Sequence, residues 1–136
     1  MAKQNTFLAV RAVLTRRDKK VLLILRSGGS HRNPHKWELP GGGIQPGEPL
    51  GMALKREVKE ETRLLVSPKY SRTLTFFTTL DSSGRYVVLV YLCPRFRQGK
   101  VVLSPEHENF KWTTIEAAFE LPLTPETEEV MSFLAE

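Results

Sequence analysis

The stretch Gly42-Gly43-Ile44-Gln45-Pro46-Gly47-Glu48-Pro49-Leu50-Gly51-Met52-Ala53-Leu54-Lys55-Arg56-Glu57-Val58-Lys59-Glu60-Glu61-Thr62-Arg63-Leu64 decides how this chain is read. Its first part, joined to Gly41, is rich in glycine and reads as a loop. Pro49 is a favoured first-turn residue and opens a helix. Leu50, Ala53, Leu54 and Val58 then follow the spacing of one apolar helical face, with the helix ending near Thr62 or Arg63.

Glu57, Glu60 and Glu61 sit at i, i+3 and i+4, on one face of that helix. Like charges there repel by a few tenths of a kcal/mol per pair, roughly, and a cation turns the repulsion into binding. The three acids continue the apolar stripe, whereas a purely solvated acidic surface would lie opposite it. Gly41-Gly42-Gly43 lets backbone approach a ligand closely, so that a carbonyl can reach a metal. Arg56 adjoins Glu57 and lies at i−4 from Glu60, placed to fix a carboxylate. Hard oxygen ligands suit magnesium or manganese. His31, His35 and His107 lack metal-ligand spacing, so no zinc site is expected.

Outward from this segment, Phe7 to Leu14 reads as a strand and the continuous apolar run Val21 to Leu25 as a buried strand. Arg16, Arg17, Lys19 and Lys20 around Asp18 read as a polar hairpin turn. Ser27 to His35 is a loop, and Trp37 to Leu39 a short extended piece. Arg72 to Thr79 and Arg85 to Leu92 are strands joined by the Asp81-Ser82-Ser83-Gly84 hairpin. Lys100 to Leu103 and Phe110 to Trp112 are further strands. Thr113 caps a short helix through Phe119, and Thr124 with Pro125 starts a last helix to about Leu134. The order is that of an α+β domain, a mixed sheet covered by helices.

The chain has 136 residues, enough for one domain over 1–136 with a core of useful size. Met1 to Thr6 carries no apolar run of signal-peptide length, and the longest apolar stretch, Tyr86 to Cys93, is too short to span a bilayer. The single cysteine, Cys93, excludes an internal disulfide and reads as a buried thiol. A cytoplasmic location is expected. The net charge of +5 is scattered, which argues against nucleic acid as a partner and leaves a field that attracts small polyanions.

The segment resembles the Nudix signature G-x5-E-x7-R-E-U-x-E-E-x-G-U, with U bulky and aliphatic. The chain supplies Gly42, Glu48, Arg56, Glu57, Val58, Glu60, Glu61 and Leu64, eight of nine defined positions, and has Arg63 in place of the glycine. Trp37-Glu38-Leu39-Pro40-Gly41-Gly42 is similar to the MutT-like branch. The resemblance implies a mixed β-sheet sandwiched between helices (α/β/α) and the hydrolysis of a nucleoside diphosphate linked to a group X. It makes Glu57, Glu60 and Glu61, with the Gly41 carbonyl, the ligands of Mg2+, for which Mn2+ can substitute. The general base is Glu106, Glu108 or a signature glutamate, with Glu106 favoured by its place in Ser104-Pro105-Glu106-His107-Glu108. Arg26, Gly42, His35 and Lys36 are the candidate substrate contacts, and Phe76, Phe77 and Tyr86 read as core aromatics that could instead stack on a base. The partner is a small nucleotide, and the chain a monomer or a homodimer. A second reading keeps the fold as a catalytically silent nucleotide or sugar-nucleotide sensor. Retention of Glu48, Glu57, Glu60 and Glu61 favours the enzyme. Arg63 falls where the family glycine takes a positive φ, so the helix exit departs from the pattern and no acid is lost.

Overall fold

In a computed structural model, residues 5–97 and 99–136 are described. Met1 to Gln4, part of the segment read for export, lie outside them. Strand β1 (Thr6–Leu14) runs parallel to β7 (Gly84–Cys93), from Thr6 opposite Arg85 to Leu14 opposite Cys93. β4 (Gly41–Gly43) flanks β1 and β6 (Arg72–Asp81) flanks β7, both antiparallel, giving a mixed sheet ordered β4-β1-β7-β6. A second, antiparallel sheet is ordered β3-β2-β9, from Trp37–Glu38, Val21–Arg26 and His107–Thr113. A small ladder joins β5 (Leu65–Val66) to β8 (Phe96–Arg97).

The two-residue period of β1 and β2 divides the core. Val10, Ala12, Leu14, Leu22 and Ile24 pack with Ala53, Leu54 and Val58 of α1 (Leu50–Thr62). Ala9, Val13, Val21 and Leu23 pack on the opposite side with Ala118 of α2 (Ile115–Ala118) and with Val130 and Met131 of α3 (Pro125–Leu134). Strands covered on both faces read as continuous apolar runs, which is why Val21 to Leu25 has no polar alternation. The sandwich of sheet between helices is the expected one. Among the described residues no helix is long and apolar enough to cross a membrane.

Arg16 pairs with Asp18 at 2.7 Å in the expected polar turn. Cys93 is buried, and burial pushes its thiol up to about 11. The two late helices are capped by threonine hydroxyls, Thr124 as expected and Thr114 where Thr113 was expected. β9 runs beyond Phe110 to Trp112 on both sides, so Thr113 is still in the ladder. Pro49 is the N-cap of α1 with extended backbone, one position ahead of the helix.

Three further readings are corrected. Gly41–Gly43, read as loop, is a strand, because Gly41 and Gly42 lie opposite Arg11 and Val10 of β1. Lys100 to Leu103, read as strand, forms none: Val101 and Leu103 reach the α1-side core, but the backbone bond made there is Val102 N–H to the Thr62 carbonyl at the end of α1, not a ladder. Phe76, whose side chain was read as core, is 69% exposed.

Arg63 takes φ 65°, the left-handed conformation that the resemblance reserves for glycine, and its amide donates to the Lys59 carbonyl at 2.9 Å. A Cβ in that region is strained. Arg63→Gly is expected to raise stability by about 0.5–1 kcal/mol, read from the midpoint of urea unfolding, with turnover unchanged.

Candidate active site

Helix α1 and the β4 segment form one wall of an open cleft of about 1050 Å³. The volume suits a nucleotide-sized ligand. Among the described lining residues are seven glutamates, Glu38, Glu48, Glu57, Glu60, Glu61, Glu106 and Glu126, against three arginines, Arg11, Arg26 and Arg32. A phosphate chain entering such a cleft meets an excess of like charge, which a bound cation would offset.

The three α1 acids differ in setting. Glu61 is buried, and its Oε1 accepts the Gly41 amide at 2.7 Å. Burial pushes its carboxyl up to about 8, aided by Glu38 and Glu57 and resisted by Arg11 and the Gly41 amide. Glu57 is half-buried and also raised, burial being the main cause. A Cβ on Gly42 would stand 2.6 Å from Glu57 Oε2, so only glycine admits the carboxylate there. Glu60 is exposed at the rim, with its side chain 56% accessible.

Arg56 stands behind these acids. Its Nε and Nη2 donate to the two oxygens of Glu48 at 2.7 and 2.9 Å, its Nη1 donates to Glu57 at 2.9 Å and Glu60 at 3.3 Å, and Nη2 also reaches the Gly43 carbonyl at 3.0 Å. The two-point fork to Glu48 fixes the guanidinium plane. It holds the Glu48 carboxyl down to about 2. Every arm of Arg56 is thus occupied in shaping the acid wall.

A second network lies deeper. Glu38, 3% exposed, receives Arg26 Nη1 at 3.0 Å and His107 Nε2 at 2.8 Å on Oε2, with Arg11 Nη1 3.5 Å from Oε1. Burial pushes Glu38 up, but Arg11, the His107 hydrogen bond and Arg26 outweigh it and leave the carboxyl below its ordinary value. Arg11 also donates to the Leu39 carbonyl at 3.0 Å, to the Gly41 carbonyl at 3.4 Å and to Glu126 of α3 at 3.1 Å. Burial works against its charge, and Glu38, Glu126 and Glu61 more than offset that.

Of the sequence-predicted residues, Arg26, Gly41, Gly42, Glu57, Glu60, Glu61 and Glu106 come together on the cleft. His35 and Lys36 are not among its lining residues; His35 lies on the loop before β3, its Nδ1 3.3 Å from Glu108. Glu108 is therefore turned to that exposed pair, whereas Glu106 lines the cleft. At the open end Tyr86 stacks on Phe7 at 5.1 Å, with the Arg32 guanidinium 5.2 Å from its ring. Arg11, Glu38, His107 and Glu126 were assigned no role from sequence. The available signal was Arg11, a lone charge inside an apolar strand.

The donors fit a hard divalent cation. A buried carboxylate raised by its surroundings, a second one admitted only by glycine, and carbonyl oxygens of β4 form an oxygen-rich set. Ser104 Oγ, a buried cleft hydroxyl, has no hydrogen-bond partner.

Residues 5–134 match the NUDIX domain, and the chain belongs to the Nudix hydrolase family. It is 27% identical over 108 residues to the nucleoside triphosphatase NudI of Escherichia fergusonii, spanning 73% of this chain and 76% of that one. The MutT NUDIX hydrolase of Burkholderia pseudomallei superposes with a TM-score of 0.82 at 26% identity, over 95% of this chain and 98% of that one. The NUDIX domain of Shewanella oneidensis NrtR, solved with ADP ribose, superposes at 0.79 with 26% identity, over 96% and 86%.

Proposed function

We propose that this chain hydrolyses the diphosphate linkage of a nucleoside triphosphate, or of another nucleoside diphosphate derivative, in a magnesium-dependent reaction of the MutT type. The observation that carries this reading is the pair of half-buried and buried carboxylates, Glu57 and Glu61, held on the wall of a nucleotide-sized acidic cleft. Glu57, Glu60 and Glu61, with the Gly41 carbonyl, would hold the magnesium. Bound there, the ion would neutralise charge on the diphosphate oxygens as the bridging bond breaks.

The chain's own groups account for the remainder. Arg26, at the end of β2, donates to phosphate oxygens from the cleft side of its guanidinium. Arg56 keeps Glu48, Glu57 and Glu60 in register, acting through them rather than on substrate. Glu106 takes the proton of the attacking water at its carboxylate, so that a P–O bond forms to water as the bridging P–O bond opens. Its place on the cleft supports it over Glu108, which pairs with His35. The Phe7–Tyr86 stack offers a flat apolar face to a base.

The NrtR complex supports a second reading, in which the cleft binds a nucleotide derivative without turning it over. One experiment separates them. The protein is incubated with nucleoside triphosphates, nucleoside diphosphate sugars, ADP-ribose and dinucleoside polyphosphates, with magnesium, and products are resolved by anion exchange. Cleavage of at least one substrate at a diphosphate linkage, seen as a nucleoside monophosphate or other phosphorylated fragment and abolished by EDTA, is expected. Calorimetric binding without cleavage of any of them would make the chain a binding module.

A further inference from the structure

The Glu38–His107–Glu61 group contains one atom that neither the fold nor the proposed hydrolysis uses. Glu38 comes from β3, His107 from β9 and Glu61 from α1, and one ligand atom from each lies within 4.8 Å of the others. The His107 side chain is 0% exposed. Its Nε2 is 2.8 Å from Glu38 Oε2. Ionised Glu38 can only accept, so Nε2 carries the proton and donates. In the neutral ring Nδ1 is then a bare lone pair. It is buried without a hydrogen-bond partner, and Glu61 Oε2 lies 3.8 Å from it. Nδ1 and the ionised form of Glu61 are both acceptors in a buried place, and a positive occupant between them satisfies both.

The arrangement is that of a metal-binding histidine: the distal N–H donates to a carboxylate, which fixes the ring and its tautomer and directs the other nitrogen at the ion. We propose that His107 Nδ1 and Glu61 Oε2 form a buried seat for a divalent transition ion, with Glu38 as the carboxylate that orients the ring. An imidazole nitrogen suits zinc-like ions, while magnesium prefers oxygen alone. The seat lies on the inner side of Glu61 and goes beyond the hydrolytic reading, which needs only the oxygen donors of α1 and β4. Spacing in the sequence hides it, because the three residues meet only through the β2–β3 and β2–β9 ladders and the packing of α1.

The test uses the whole chain without a histidine tag, labelled with 15N-histidine, and Zn2+ alone as the probe. Long-range 1H–15N spectra report each ring nitrogen separately. In the metal-free protein the His107 ring is expected in the tautomer with the proton on Nε2. Zn2+ is expected to shift the His107 Nδ1 resonance at one equivalent, and Mg2+ at the same concentration is expected to leave it in place. His107→Gln, which keeps a donor for Glu38 but removes the nitrogen lone pair, identifies the resonance and is expected to weaken Zn2+ binding about 10–100-fold. A variant lacking His31 and His35 keeps His107 as the sole histidine, so the result does not depend on the buried substitution folding. A Zn2+ shift confined to His31 and to His35, the latter beside exposed Glu108, overturns the proposal. So does a His107 ring indifferent to Zn2+, which would leave a proton as the occupant. Either result leaves hydrolysis with magnesium untouched. Conversely, a chain that hydrolyses nothing but shows the His107 shift retains the seat and loses the proposed function.

Discussion

Glu61→Gln should abolish most magnesium-dependent turnover, by about 10³-fold in kcat, while making the metal-free protein more stable. The two effects share a cause. Glu61 is a buried carboxylate whose surroundings favour the protonated form. Glutamine keeps an oxygen to accept the Gly41 amide and brings an N–H within reach of the bare His107 Nδ1. It carries no charge to bury and none to offer a cation. The pH dependence gives a sharper readout. The Glu61 carboxyl titrates near 8 in the folded protein, against 4.5 for an ordinary glutamate. The folded state therefore keeps a proton that the unfolded state has released. The stability this contributes is full below pH 4.5 and is lost as pH rises through 8, with a slope of at most about 1.4 kcal/mol per pH unit. Metal-free wild type should show this decline in thermal melts from pH 5 to 8.5, and Glu61→Gln should not. Parallel melting curves for the two proteins, or normal turnover in the variant, would remove Glu61 from the metal site.

Gly41→Ala should be the most damaging small substitution in the chain. Gly41 has φ 153°, and a Cβ there would lie 2.0 Å from the Val10 carbonyl oxygen and 2.8 Å from Arg11 Cα. Those atoms are backbone of β1 and cannot step aside as a side chain would. We expect a loss of more than about 4 kcal/mol, seen as failure to fold or as a collapse of the urea midpoint. Gly42→Ala provides the contrast. Its Cβ would meet the far end of Glu57 at 2.6 Å, so the protein folds and the carboxylate is displaced. That variant should keep its urea midpoint to within about 1 kcal/mol and lose metal affinity. Equal stability of Gly41→Ala and wild type would contradict the pairing of Gly41 with Arg11.

What was legible in the sequence was mostly local. Helix α1, its apolar stripe, the phase of Glu57 and Glu61 and the start of α3 at Thr124 and Pro125 follow from spacings shorter than a few turns, whereas the left-handed turn at Arg63 was suggested only by the resemblance. The burial of β2 was visible in its unbroken apolar run, and its cover on both faces came with the structure. What escaped depends on partners distant in the chain. Three glycines read as loop, and only the ladder to β1 makes them a strand. Lys100 to Leu103 reads as a strand and lacks a ladder. The Glu38 network could not be read because Arg11, Arg26, His107 and Glu126 are brought to it by four separate elements. The resemblance carried the α1 acids and was silent on this group, though Glu38 and His107 both stood within the quoted motifs.

The parallel pairing of β1 with β7 sets the order in which such a molecule can be made. Thr6 waits for Arg85 and Leu14 for Cys93. A ribosome therefore delivers the β1 strand, with Arg11 in its middle, well before its neighbour on one side exists. The α1 acids emerge next and can coil into a helix at once, but the Glu38 network also needs His107, and Arg11 needs Glu126, 115 residues further on. Distant pairings of this kind slow folding. A nascent chain stalled before α3 would display the glutamates without the scaffold that holds them, so competence to bind ligand should appear late and abruptly during synthesis.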